Sequence, residues 1–192
     1  MVTAMMELVM GQRAASEVVG QTGILKVQTG EAPGYHDITD LVQRFLEASQ
    51  VTMGQLVVFS RHTTAPIWVN ENEPLLLIDV RKFLDRLTPR GADYLHNEFD
   101  IRTVNMSEDE CPNGHAHIAH GFMGGASTTI PVIDGKMALG RYQSIFLVEL
   151  DRPRPREVVL QALGLVHEVV HEEGKTEGKT RGGNGAEPPG PW

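Results

Sequence analysis

Hydrophobic residues recur along this chain at two spacings, which predict strands in some segments and helices in others. The segments GILKVQT (residues 23–29) and GQLVVFSRHTT (residues 54–64) are rich in aliphatic and β-branched residues, so we predict a strand in each. The segment DITDLVQRFLEAS (residues 37–49) has its hydrophobic residues at helical spacing. Thr39 or Asp37 is the expected N-cap of that helix.

The strongest helical pattern is NEPLLLIDVRKFLDRL (residues 72–87). Asn72 is a suitable cap, with Glu73 in the first turn. Five hydrophobic residues are expected to form the face that packs on the core. They are Leu76, Val80, Phe83, Leu84 and Leu87.

The clearest hairpin signal is Asp134-Gly135 between two runs of β-forming residues, because a type I′ turn needs positive φ at both central positions. The segment REVVLQALG (residues 156–164) fits either a strand or a helix. Many strands, two main helices and no alternation of strands with helices indicate an α+β fold with a mainly antiparallel sheet or sandwich.

Composition divides the chain into three parts. Residues 1–20 are weakly patterned, residues 21–165 form the predicted domain, and residues 166–192 form a tail rich in Gly, Pro and charge that we expect to be disordered.

The net charge of −8, with no basic stripe, argues against nucleic-acid binding. No apolar run reaches the ~18 residues of a membrane span, and the N-terminus does not resemble a signal peptide. The single cysteine, Cys111, excludes an intramolecular disulfide and a thiolate-rich zinc site. These features predict a cytoplasmic protein.

The first candidate for chemistry is His62, which lies near the end of the second predicted strand. Alternation places it on the same face as Leu56, Val58 and Ser60, at the rim of the sheet. At that position it could line a pocket or be a core histidine whose ring bonds to a neighbour. The residue pattern leaves both interpretations open.

More histidines occur in CPNGHAHIAHG (residues 111–121). His115 and His117 share a face if this segment is extended, which would suit one metal ion, whereas His117 and His120 share a face if it is helical. His96 is an isolated further candidate.

Two kinds of candidate lie around these histidines. Glu71 and Glu73 flank a helix start, where negative charge is favourable, and Asp79 follows within two turns on the solvated side. The segment GFMGGASTT (residues 121–129) is either a phosphate-binding loop or a plain connection into the hairpin. Its candidate phosphate-binding residues are Gly124, Gly125 and Ser127.

Several motifs in this order resemble the YjbQ-like family: DIT, HTTA, NENE, AHI, MGGAS, LG-x-x-Q and E-x-D-x-PR. The resemblance covers about Gly23 to Gly164. It implies a seven-stranded, two-sheet β-sandwich that assembles as a homotrimer. It also implies the activity of a secondary thiamine-phosphate synthase, which couples a thiazole phosphate with a pyrimidine diphosphate and releases pyrophosphate.

The polar motif residues of the family fall on His62, Thr63, Thr64, Asn70, Glu71, Asp79, His96, His117 and Gln143. The resemblance implies a catalytic role for the histidines and acids among them, and substrate binding for the others. His115 falls on a variable position. Tyr142 stands where the family usually has Trp, and Arg141 replaces a small residue, so the surroundings of Gln143 are expected to differ.

Two metal predictions accompany this activity. Glu71 and Asp79 would suit Mg²⁺, which prefers oxygen ligands and would neutralise the departing pyrophosphate. His62, His96 and His117 would instead suit a Zn²⁺-type ion whose bound water points to hydrolysis of a phosphate ester. Alternatively, the three rings bind phosphate directly.

The expected ligand is thus a small phosphorylated metabolite. A protein that binds a metabolite or a metal without turnover is the alternative from a different class.

Overall fold

The structure is a computed structural model that describes residues 16–167, with side chains described for residues 17–166. Predictions for residues 1–15 and for the tail from residue 168 lie outside the described residues. No helix of the described part is long and apolar enough to cross a membrane.

Three α-helices and eight strands make up the described part of the chain, which confirms the α+β class. In chain order they are β1 (Ser16–Gln28), β2 (Gly34–Asp37), α1 (Thr39–Ser49), β3 (Met53–Ser60), β4 (Ile67–Glu71), α2 (Pro74–Leu87), α3 (Gly114–Phe122), β5 (Ser127–Ile133), β6 (Lys136–Met137), β7 (Gln143–Glu149) and β8 (Pro155–His167). A 3₁₀ turn at Leu95–Asn97 lies between α2 and α3.

The strands form two antiparallel sheets. One has the order β1-β8-β3-β5-β6 and the other the order β2-β7-β4. β1 pairs with β8 along its whole length, from Ser16 opposite His167 to Gln28 opposite Pro155. This pairing extends the folded part beyond the predicted limits at residues 21 and 165, and it assigns the ambiguous segment 156–164 to a strand.

The two sheets share one hydrophobic core with α1. Leu56 and Val58 of β3 cluster there with Ile145 and Leu147 of β7 and with Leu46 of α1. The intervening β7 side chains point the other way. Because β7 is covered on both faces, its sequence is a continuous hydrophobic run rather than an alternation.

The opposite face of β7 is covered by helices. Phe146 and Val148 cluster with Leu84 of α2 and with Ala116 and Ala119 of α3. This second cluster fixes α3, and therefore the histidines it carries, beside the three-stranded sheet.

The Asp134-Gly135 hairpin is confirmed: φ is +51° at Asp134 and +72° at Gly135. The turn leads into the two-residue strand β6, which gives eight strands where the family resemblance implies seven.

The caps of α1 and α2 differ from the predictions. Ile38 is the N-cap of α1, although the Asp37 carboxylate accepts a hydrogen bond from the Thr39 amide at 2.9 Å. Glu73, rather than Asn72, caps α2, because its carboxylate accepts from the first free helix amides, those of Leu75 and Leu76, at 2.9 and 2.7 Å.

The hydrophobic stripe of α2 is only partly buried. Leu84 is buried, whereas Phe83 is 52 % exposed and Leu87 41 % exposed. The predicted packing face was therefore too wide, because within one chain α2 meets the core along a narrow strip around Leu84.

A third helix, α3, was not predicted. The segment contains three histidines and two glycines among nine residues, so hydrophobic periodicity is weak. The helical alternative for the histidines is correct, and the extended His115/His117 arrangement is wrong. His115 is a core histidine, with both ring nitrogens buried and without a hydrogen-bond partner among the described residues.

Candidate functional site

Three cavities adjoin the turn that follows β3. The large cavity has a volume of about 750 Å³ and is lined by Thr63, Leu95, His96, Ile101, Arg102, Val104, Asn105, Glu110 and His117. The polar cavity, about 210 Å³, is lined by Arg61, His62, Thr63, Thr64, Asn113, His117, Asp151, Arg154 and Arg156. The side cavity, about 340 Å³, is lined by Phe59, Ser60, Arg61, His62, Thr63, His120 and Ala126.

Two residues connect the first two cavities. Thr63 lines all three, and His117 lines both the large and the polar cavity. Thr63 lies in the turn after β3, which ends at Ser60, while His117 lies in the second turn of α3. The prediction that places His62 within β3 is wrong by two residues, since the strand ends earlier and frees His62 and Thr63 to line the cavities.

His96 and His117 pack against each other in the lining of the large cavity. Their ring centroids are 4.5 Å apart and the rings are packed edge to face. The Nε2 atom of His96 is buried and has no hydrogen-bond partner among the described residues. The pair therefore contains a buried polar nitrogen that is satisfied only if a ligand or an ordered water engages it.

Arg102 holds the segment that carries His96. Its guanidinium donates to the Glu110 carboxylate at 2.9 Å and to the Asn105 carbonyl at 2.8 Å. Asn97 links the same segment to α3, because its side-chain oxygen accepts from the Gly114 amide at 2.9 Å. These contacts place His96 against the helix that carries His117.

Two of the histidines that line the cavities, His62 and His117, favour the neutral state. Burial lowers the pKa of His117 below its usual 6.5, and the neighbouring His96 lowers it further. Burial, followed by the nearby Arg156 guanidinium, lowers the pKa of His62. At pH 7 both rings are thus mainly uncharged and act as one-donor, one-acceptor groups.

A hydrogen bond fixes the ring of His62. Its Nε2 accepts from the Glu157 backbone amide at 2.8 Å, so the proton of the neutral ring sits on Nδ1. In this state neither nitrogen of His62 has a lone pair available for a metal ion.

The predicted three-histidine metal site is not assembled within the described part of one chain. No group of three or more His, Cys, Asp or Glu side chains there has a geometry that could hold a metal ion. His96 and His117 supply two adjacent rings. The set of His62, His96 and His117 as metal ligands stays a prediction.

A buried ion pair forms the floor of the polar cavity. Arg156 is 2 % exposed and donates twice to Glu149, which is fully buried, at 2.5 and 2.7 Å. Arg156 also donates to the Thr64 hydroxyl at 3.2 Å, and Thr29 donates to Glu149 at 2.8 Å. Thr64 therefore contacts the floor of the cavity, and the buried Arg–Glu pair holds that floor rigid.

The wall of the polar cavity centres on Asp151. Arg154 donates to its carboxylate at 2.7 Å, and the side-chain amide of Asn113 donates at 3.4 Å. Asp151 and Asn113 are both buried, whereas Arg154 is one-third exposed. None of Asp151, Arg154 and Asn113 was predicted as a site residue, although Asp151 and Arg154 stand in the E-x-D-x-PR motif.

The match to known proteins decides the family. A family model described as "UPF0047 protein YjbQ-like" matches residues 23–165. This chain belongs to the YjbQ-like family.

Relatives and solved structures agree with the assignment. A UPF0047 protein of Methanothermobacter thermautotrophicus is 40% identical over 140 residues, which are 73% of this chain and 90% of that protein. One from Archaeoglobus fulgidus is 35% identical over 72% of this chain and 98% of its own. The crystal structure of a YbjQ-like protein of unknown function from Sulfolobus solfataricus has a TM-score of 0.68 at 33% identity, covering 77% of this chain and 99% of that one.

Ala126 of the glycine-rich segment of this YjbQ-like chain lines the side cavity, whereas the predicted phosphate-binding residues Gly124, Gly125 and Ser127 line none of the three cavities. Gly124 and Gly125 have φ of +93° and +91°, and Gly125 accepts a hydrogen bond from the Ile67 amide at 2.9 Å. A Cβ at Gly124 would lie 2.8 Å from the Ile67 carbonyl oxygen. Ser127 is in β5, opposite Phe59. The glycines thus permit a close approach to β4.

The remaining predicted residues lie apart from the histidines. Asn70 and Glu71 end β4, and Glu71 pairs with Gln143 at the start of β7. The Gln143 side chain accepts from the Gly140 amide at 2.7 Å. Asp79 lies on α2, in a salt bridge of 3.3 Å with Lys82. None of Asn70, Glu71, Asp79 and Gln143 lines any of the three cavities described above.

Proposed function

We propose that this YjbQ-like protein is a secondary thiamine-phosphate synthase, which couples a thiazole phosphate with a pyrimidine diphosphate and releases pyrophosphate. The observation that carries the proposal is the junction of a large cavity with a polar cavity at Thr63 and His117. Substrates that combine a heterocyclic ring with a phosphate group need two such adjoining environments.

The large cavity suits the rings. Leu95, Ile101 and Val104 supply apolar walls, and His96 and His117 supply directional hydrogen bonds on the other side. A neutral imidazole, the state that burial favours for His117, can donate to one ring atom and accept from another without adding charge. Together, His117 and His96 would orient two heterocycles for reaction.

The Mg²⁺ part of the proposal does not fit one chain. Glu71 and Asp79, the predicted carboxylate ligands, do not line the cavities that contain His62 and His117. No step of the reaction is therefore assigned to Mg²⁺ held by these two residues.

We propose a homotrimer as the working assembly. The outer face of the five-stranded sheet, defined here by Val18, Ile24, Phe59 and Leu163, exposes between 41 % and 67 % of each of these side chains. Ile24 and Phe59 are both opposite Val159, so this apolar surface is continuous across β1, β8 and β3. Exposed apolar patches of this kind mark protein contacts.

A metal-dependent phosphate-ester hydrolase is the second candidate. It is favoured by the His96–His117 pair, in which a buried imidazole nitrogen lacks a partner among the described residues. A metal ion on these two rings would supply an activated water. Two protein ligands are fewer than the three of known catalytic zinc sites, so the synthase is the stronger proposal.

Genetic rescue of a thiamine auxotroph tests the proposed function. The wild-type chain at normal expression is expected to restore growth without thiamine, and His117→Gln is expected not to do so. His36→Gln is the control, because His36 lines none of the three cavities. Rescue only on overexpression would indicate a side activity, and no rescue at all would favour the hydrolase or a binding protein without turnover.

A further inference from the structure

The polar cavity differs from its neighbours in its lining. All nine lining residues carry side chains that donate or accept hydrogen bonds, and they include three arginines but only one carboxylate, that of Asp151. We propose that this cavity is the subsite for the diphosphate group, with Arg61 and Arg154 as its main donors. The identity of the ester rests on the proposed function, whereas the anion site itself rests on the contacts described below.

Arg61 and Arg154 each have N–H groups that make no hydrogen bond among the described residues. Among the described residues, each guanidinium makes one hydrogen bond to a carboxylate, Arg61 to Glu157 and Arg154 to Asp151, both at 2.7 Å. The other N–H groups of each have no partner there. Planar guanidinium groups match the oxygens of phosphate, so these two side chains can bind one anion from two sides.

Arg156 plays a different part. Its guanidinium is buried and committed to Glu149 and Thr64. It fixes the floor of the cavity, and it leaves the anion to the two arginines that are partly exposed. The Arg61–Glu157 pair is exposed, and pairs of this kind contribute little free energy, so a dianion can compete with Glu157 for Arg61.

Asn113 gives an independent sign of a ligand. It is 8 % exposed and lines the cavity, and its Oδ1 atom is buried without a hydrogen-bond partner among the described residues. A buried polar atom without a partner costs free energy unless a ligand or an ordered water engages it. Because the NH₂ group of this amide already donates to Asp151 at 3.4 Å, Oδ1 is left to accept from an O–H group of a ligand or from an ordered water that bridges to the anion.

The overall charge makes the test selective. With a net charge of −8, the chain repels anions in general, so saturable binding of a phosphate compound requires a dedicated site. The cavity of about 210 Å³ is several times the ~30 Å³ share of one water molecule, and it therefore has room for more than a single water.

Calorimetric titration of the full chain with inorganic pyrophosphate, without any second substrate, tests the subsite. We expect saturable binding of one pyrophosphate per chain, tighter than inorganic phosphate because the larger anion engages both arginines. Arg154→Gln and Arg61→Gln are each expected to weaken binding at least about tenfold, the effect of one lost charged hydrogen bond.

Arg152→Gln is the matched control. Arg152 is similarly exposed and paired with Asp109 at 2.8 Å, but it does not line the polar cavity. It is expected to change the affinity by less than about twofold, since loss of a screened surface charge has a small effect. Arg61→Gln guards against misfolding, because Arg61 is exposed and its loss leaves the buried Asp151 paired.

The outcomes separate the subsite from the proposed function. Arginine-dependent pyrophosphate binding in a chain that forms no thiamine phosphate would keep the subsite and reject the synthase. Absence of binding, or equal affinity in all three arginine variants, would overturn the subsite even if the chain proved to be a synthase.

Discussion

The residues of the candidate site differ in how their protonation is controlled. His117 is half-buried beside His96, so a proton on His117 would be poorly solvated and would face a ring that can also become charged. Burial contributes most to its lowered pKa, and His96 contributes next. A substitution at His96 should therefore alter the titration of His117 in a defined direction.

We predict that His96→Gln raises the pKa of His117, without bringing it to 6.5, because burial persists after the neighbouring imidazole is gone. NMR titration of the histidine ring resonances measures this. His36 is the internal control: burial is the main cause of its low pKa, and His96 is not among the causes. An unchanged or lower pKa at His117 would mean that the two rings do not interact as described.

Individual site residues were predictable where a motif brings them together. Thr63, His96 and His117, which the family motifs place among the predicted site residues, line the large cavity. Thr64 was predicted from its motif, but its contact with Arg156 was not, because that hydrogen bond joins residues 92 positions apart and no local pattern indicates it. Gly124 and Gly125 were misinterpreted, since a strand contact and a phosphate loop require the same backbone freedom.

At the scale of elements, the start of α2 has two neighbouring residues that could cap the helix, and only one of them does so. Glu73 accepts hydrogen bonds from two helix amides, whereas Asn72 donates to the Asp37 carboxylate and makes no cap. Hydrogen bonds to free N–H groups at a helix start stabilise the fold.

We predict that Glu73→Ala lowers the free energy of unfolding by about 1 kcal/mol, and Asn72→Ala by less than half of that. Urea unfolding at one fixed protein concentration measures both. A larger loss of unfolding free energy for Asn72→Ala than for Glu73→Ala would indicate that Asn72, as expected from the sequence, is the cap.

Elements whose hydrophobic residues recur at a regular spacing were predicted, and elements without such a spacing were not. β1, β3, β8 and the turn at Asp134-Gly135 follow from alternation and turn chemistry, although β8 required its pairing partners to be distinguished from a helix. α3 has little hydrophobic periodicity of its own. Its helical state is supported by packing of Ala116 and Ala119 against the second core cluster, which only the tertiary structure reveals.

At the scale of the whole molecule, two observations concern assembly. The outer face of the five-stranded sheet is exposed, and Glu71, Asp79 and Gln143 lie apart from the histidines. Light scattering coupled to size exclusion is predicted to give three times the 21.1 kDa mass of the chain, unchanged by tenfold dilution. A mass of one or two chains would remove the homotrimer from the account. It would also mean that no subunit interface of a trimer brings Glu71 and Asp79 close to the cavities.

Formation of thiamine phosphate by the purified full chain, given the thiazole phosphate, the pyrimidine diphosphate and Mg²⁺, tests the proposed function without an intermediate step. We expect product above a protein-free control, at least about tenfold less product with His117→Gln, and an unchanged rate with His36→Gln. No product, or an equal rate with His117→Gln, would contradict the claim that coupling occurs where the large and polar cavities meet.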